Sequence, residues 1–160
     1  MPSYSLKNMS EKKKKTDLLI GADHAGFELK EFILKILSAQ GVRFEDVGTF
    51  NGQSVDYPDY AFKVAQAVSI GRVKSGILIC GTGIGMSITA NRLPGVRAAL
   101  CNDLYTARMA RAHNNANILA LGSRVVGSGL AREIVLTFLG TPFEKGRHLR
   151  RIKKMDEGCS

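Results

Sequence analysis

Cys80 closes an apolar run, and glycine then fills every second position, Gly81, Gly83 and Gly85, in the stretch ILICGTGIGMSITANR from Ile77 to Arg92. A thiol at the end of a strand is a base or nucleophile once ionised, and a helix starting just after it favours the thiolate. Backbone stripped of side chains can turn successive N–H groups toward an anion, whether a phosphate or a developing oxyanion. The competing reading is a small buried hydrophobe followed by a tight turn that packs a helix onto a sheet. Cys101 and Cys159 lack any comparable context and keep that second reading. The loop is not a dinucleotide fingerprint, because its spacing is GxGxG rather than GxGxxG, and no GK[ST] closes it as a P-loop.

Three further groups could join such chemistry. Asp23 and His24, in GADHAG, follow the first apolar run; a histidine there is a cap, a surface residue or a site residue. His113 and Asn114, in RAHNNAN, close a helical stretch, where a histidine can be no more than a C-terminal cap. Arg147 and Arg151, four apart in GRHLRR, fall on one face of a terminal helix, as surface charge or as a phosphate-holding pair.

The elements that must position these residues alternate along the chain. DLLIG, VRFEDVG, SGILIC, VRAALC and NILALG read as strands, separated by amphipathic stretches at helical spacing. Pro58 falls in the first turn of the second helix, Asp103 opens the fourth, and EKGRHLRRIKKM makes an extra basic C-terminal helix. Five alternations without a hairpin signal imply a three-layer α/β/α sandwich on a five-stranded parallel sheet, Rossmann-like, with the flavodoxin-like strand order 2-1-3-4-5. Ligands of such sheets sit beyond the carboxyl ends of the strands, here between strands one and three, where Asp23, His24 and Cys80 converge.

Composition narrows the classes. At 160 residues and 44% hydrophobic, the chain suits one domain, expected over 17–155 between a disordered basic leader (1–16) and a short tail (156–160). Of the formal charge of +9, residues 1–15 hold +4 and residues 144–160 hold +3, so the middle offers no basic stripe for nucleic acid. Three cysteines without CxxC spacing suggest reduced thiols rather than a disulfide framework or a zinc centre. No apolar run approaches bilayer length, and a cytoplasmic protein without membrane partners is expected.

Taken together, GADHAGFELK, DYPDYA, GILICGTGIGMSITANR, HNNANILALGSRVVG and FEKGRHLRRI closely resemble the type B ribose-5-phosphate isomerases, a family that includes galactose-6-phosphate isomerase subunits. The resemblance runs from about Leu18 to Ile152 and gives the leader no role. It implies interconversion of ribose 5-phosphate and ribulose 5-phosphate through an enediolate, without cofactor or metal. It also implies a homodimer or a tetramer with sites at subunit interfaces. Cys80 matches the proton-shuttling base, Thr82 and the backbone of Gly81, Gly83, Ile84 and Gly85 the groups facing the enediolate, and His113 the residue that opens the furanose ring. Asp23, His24, Asn114, Arg124, Arg147 and Arg151 match the rest of the substrate and phosphate site. One branch of the family replaces the cysteine base by a glutamate in the glycine loop; Met86 stands at that place here. Isomerisation of allose or galactose 6-phosphate, and a non-catalytic phosphate-binding module, are the alternatives. The topology adds that Cys80 and His113 belong at opposite ends of the sheet within one chain, so that a shared substrate needs two subunits.

Overall fold

The computed structural model describes residues 15–158, so the expectation of a disordered leader falls almost wholly on residues outside it. The strands are β1 (Leu18–Ala22), β2 (Phe44–Asp46), β3 (Ser75–Cys80), β4 (Ala98–Leu100) and β5 (Ile118–Gly122). Between and after them come α1 (Phe27–Ala39), α2 (Tyr57–Ser69), α3 (Ile84–Ala90), α4 (Leu104–Ala112), α5 (Ser128–Gly140) and α6 (His148–Glu157).

All four strand pairings are parallel, with Ala22 opposite Ile79 and Cys80 opposite Gly122. The sequences LLIGA and ILALG are buried at every residue, which requires cover on both faces of the sheet. On one face Leu19, Leu78, Ile118 and Ala120 pack against α2 and α3 through Val64, Val68, Met86 and Ala90. On the other, Ile20, Ile77, Ile79 and Leu121 pack against α1, α4 and α5 through Ile33, Leu37, Ala107, Ile134 and Phe138. The three-layer sandwich is therefore as expected.

The strand order is not: it runs β2-β1-β3-β5-β4, so β5 lies between β3 and β4. Burial explains the exchange. β5 is a wholly buried apolar strand and takes a central place, whereas the three residues of β4 are each only half-buried and suit an edge. One consequence is local to the chemistry, because the residues following β5 now lie beside Cys80 rather than one strand away.

Asp103 caps α4, its Oδ1 accepting from the Thr106 N–H at 2.7 Å. Lys30 of α1 is fully buried and its Nζ lies 2.6 Å from Asp46 Oδ2, fastening the helix to β2. The last helix starts later than its sequence suggests, because Lys145 and Gly146 adopt φ of 62° and 52° and break it. Arg147 is thus the cap of α6 rather than an interior residue, although its φ and ψ of −60° and −19° still carry the four-residue spacing onto Arg151. The helix continues to Glu157, two residues past the expected domain limit, and buries only His148 and Ile152. No helix among the described residues is long and apolar enough to cross a membrane.

Candidate active site

Three strand ends build a cleft of about 420 Å³ lined by Asp23, His24, Ala25, Tyr57, Cys80, Gly81, Thr82, Ile84, Gly85, Ile88 and Arg124. Asp23 follows β1 and its N–H donates to Ile79 O at 3.2 Å, which holds the turn against β3. Its Oδ1 accepts from the Gly26 N–H at 3.0 Å, so that oxygen secures the start of α1. His24 Nδ1 accepts from the Val55 N–H at 3.2 Å. That bond places the ring proton on Nε2, which makes His24 a donor in its neutral form.

Cys80 is 5% exposed, and the N–H of Gly83 donates to its Sγ at 3.1 Å. This contact strengthens as the sulfur gains charge, as any hydrogen bond does when its acceptor ionises. The Ile84 N–H donates to Thr82 Oγ1 at 3.2 Å, leaving the exposed Thr82 hydroxyl proton to donate elsewhere. The glycines do not simply open space. A Cβ at Gly83, whose φ is +79°, would come within 2.9 Å of the Leu121 backbone, and one at Gly85 within 2.6 Å of the Tyr57 ring. Packing, not only ligand access, demands them.

The place of β5 accounts for Arg124. After Gly122 the chain turns back over the glycine loop, with Ser123 N–H donating to Cys80 O at 2.9 Å and Arg124 N–H to Gly81 O at 3.0 Å. The exposed guanidinium consequently borders the cleft next to Gly81. Tyr57, Ala25 and Ile88 were missed in the sequence. Tyr57 stands at the first turn of α2 in DYPDYA, but only the packing of its ring on Gly85 reveals its role as a wall.

Four expected residues lie elsewhere. His113 caps the far end of α4 and stacks on His148, ring centroids 4.3 Å apart and 17° from parallel. Glu144 Oε2 is 3.7 Å from Nε2 of both histidines. Burial, followed by the neighbouring His113, Arg147 and Arg151, pushes the His148 imidazole below its ordinary pKa, with Glu144 opposing. Arg147 and Arg151 are exposed beside this cluster, and Asn114 borders a separate cavity of about 390 Å³ with Arg97, Ala99 and Met155. Since every strand points the same way, His113 precedes the amino end of β5 while Cys80 ends β3: the two groups are at opposite ends of the sheet. Cys101, just after β4, is 1% exposed, and burial raises its thiol to about 11.

The family model for Ribose/Galactose Isomerase matches residues 18–155. The chain belongs to the ribose/galactose isomerase family. Among relatives, ribose-5-phosphate isomerase B of Escherichia coli is 49% identical over 136 residues, covering 85% of this chain and 91% of that one. A solved ribose 5-phosphate isomerase from Thermotoga maritima superposes with a TM-score of 0.86 at 56% identity, over 89% of this chain and 98% of the other. D-erythrulose-4-phosphate isomerase of Pectobacterium atrosepticum is 43% identical over 139 residues, covering 86% and 91% respectively. The ribose/galactose isomerase family thus includes relatives named for more than one sugar, while the shared region takes in both the Cys80 cleft and the His113 cluster.

Proposed function

We propose that this chain, an aldose–ketose isomerase by family, interconverts ribose 5-phosphate and ribulose 5-phosphate with Cys80 as the base. The observation that carries the reading is the Cys80 sulfur in the cleft, held by the Gly83 N–H and flanked by the Thr82 hydroxyl. The Cys80 thiolate removes the proton from C2 of the open-chain aldose and returns it to C1, while the O2 hydroxyl gives up its proton to become the ketone oxygen and the C1 carbonyl oxygen takes up that proton to become a hydroxyl. Negative charge builds on the enediolate oxygens between these steps. The Thr82 hydroxyl, His24 Nε2–H and Arg124 guanidinium are the side-chain donors bordering the cleft that can meet it.

His113, Asn114, Arg147 and Arg151 enter this scheme from a second copy of the chain. Their absence from the cleft supports that assignment, as does α6, which buries only two residues and leaves Leu149 53% exposed. In such a dimer His113 opens the furanose and the two arginines hold the phosphate.

Two measurements test the reading. Catalytic efficiency on ribose 5-phosphate is expected to exceed that on four- and six-carbon aldose phosphates; a reversed order assigns a different sugar. Cys80→Ala is expected to lower turnover by about 10²–10⁴-fold or more while sugar-phosphate affinity stays within about tenfold. Near-normal turnover in that variant removes the cysteine from the mechanism.

A further inference from the structure

We propose that His113, Glu144 and His148 form a binding site for a late first-row divalent transition ion, of the zinc, nickel or copper kind. One donor atom from each residue lies within 4.8 Å of the other two. His148 is 5% exposed, yet its Nε2 has no hydrogen-bond partner among the described residues. Unprotonated, such a buried ring nitrogen wants a proton donor or a metal ion; protonated, it wants an acceptor. Among the described residues, the ionised acceptor brought to it is the Glu144 carboxylate, which stands at 3.7 Å, beyond hydrogen-bond reach, and equally far from His113 Nε2.

The backbone holds the three donors together. Glu144 N–H donates to Ala112 O at 3.0 Å, which pins the segment beside His113. The left-handed pair Lys145 and Gly146 then turns the chain, and His148 N–H donates to Lys145 O at 3.1 Å. Tetrahedral coordination with metal–donor distances of about 2.0–2.1 Å sets donors about 3.3–3.4 Å apart. Each 3.7 Å gap therefore has to close by about 0.3–0.4 Å. The two histidine donors, up to 4.8 Å apart, must close by as much as about 1.4–1.5 Å, which requires the stacked rings to tilt; that falls to the 35%-exposed His113, with the exposed Glu144 carboxylate following, while buried His148 stays in place.

Donor chemistry selects the ion. Two imidazoles and one carboxylate suit zinc, nickel or copper; magnesium and calcium prefer oxygen-rich sites. Arg147 and Arg151 add positive charge nearby and further disfavour an ion held by electrostatics alone. The isomerisation proposed above needs no metal, and an ion here occupies the histidine assigned to ring opening. Zinc is accordingly an inhibitor in the aldose-to-ketose direction, a consequence that rests on that functional reading.

The test is calorimetric titration of the full chain with zinc chloride near neutral pH, checked by competition with a chromophoric chelator. Expected are one zinc per chain in the micromolar range, no response to magnesium, and at least about tenfold weaker zinc binding in both His148→Ala and Glu144→Gln. Glu144 is exposed, so its variant carries the test even if His148→Ala does not fold. No zinc binding by the wild type, or zinc binding unchanged in Glu144→Gln, overturns the site. Zinc binding without inhibition upholds the site and removes the ring-opening role of His113.

Discussion

Two buried thiols in one chain have opposite surroundings. The Cys80 sulfur borders the cleft and accepts an amide hydrogen bond, whereas Cys101 is sealed from solvent and its ionisation is resisted by burial, with a Thr106 hydrogen bond opposing that effect and Asp103 adding to it. A thiol raised in the folded state holds its proton more firmly there than in the unfolded chain. Its contribution to stability is therefore complete below pH 9 and is lost as pH rises from 9 toward about 11. Cys101→Ala is expected to flatten that alkaline loss, measured as urea midpoints at pH 8 and pH 10; an unchanged slope assigns it to other groups. Also at this scale, Arg147→Ala and Arg151→Ala are each expected to weaken substrate binding by about 1.5–3 kcal/mol, the range for a lost charge-assisted contact. Inhibition by inorganic phosphate checks this, and equal inhibition of wild type and variants returns the arginines to surface charge.

Among the elements, the loop between β3 and α3 bears the heaviest constraint. Gly83→Ala meets a positive φ and the backbone of β5 together, so a loss of about 1–3 kcal/mol in unfolding free energy is expected along with lower turnover. Gly85→Ala meets only the ring of Tyr57, which is 40% exposed and free to swing outward, so it is expected to cost less stability while raising KM. Denaturation and kinetics on both variants measure the difference. Most of these elements could be read from the sequence because their periodicity is local: LLIGA, SGILIC and ILALG announce buried strands, and Asp103 announces a helix start. The order of strands could not, since it depends on which strand must be covered on both faces once all are present. Nor could Tyr57, whose partner Gly85 lies 28 positions away in sequence. In the sequence only family resemblance points to Arg124; the placing of β5 beside β3 supplies its physical reason.

For the whole molecule, the separation of Cys80 from His113 makes assembly part of the proposed chemistry. Mixing Cys80→Ala with His113→Ala protein, dissociating and reassembling, gives heterodimers with one site intact and one lacking both groups. Random reassortment is then expected to restore about a quarter of wild-type activity on furanose substrate. Zero recovery places both groups on one chain and overturns the dimeric site.

The insertion of β5 also bears on how the protein is made. A ribosome delivers β3 and β4 before β5, yet in the finished sheet those two strands never touch. Until residue 122 has emerged, the apolar strand ending in Cys80 keeps one ladder of N–H and C=O groups without its native neighbour. Open strands of that kind invite pairing with other chains. Fragments ending between β4 and β5 are for this reason expected to aggregate, and the same strand that completes the cleft by delivering Arg124 is the one that makes the nascent sheet safe from its neighbours.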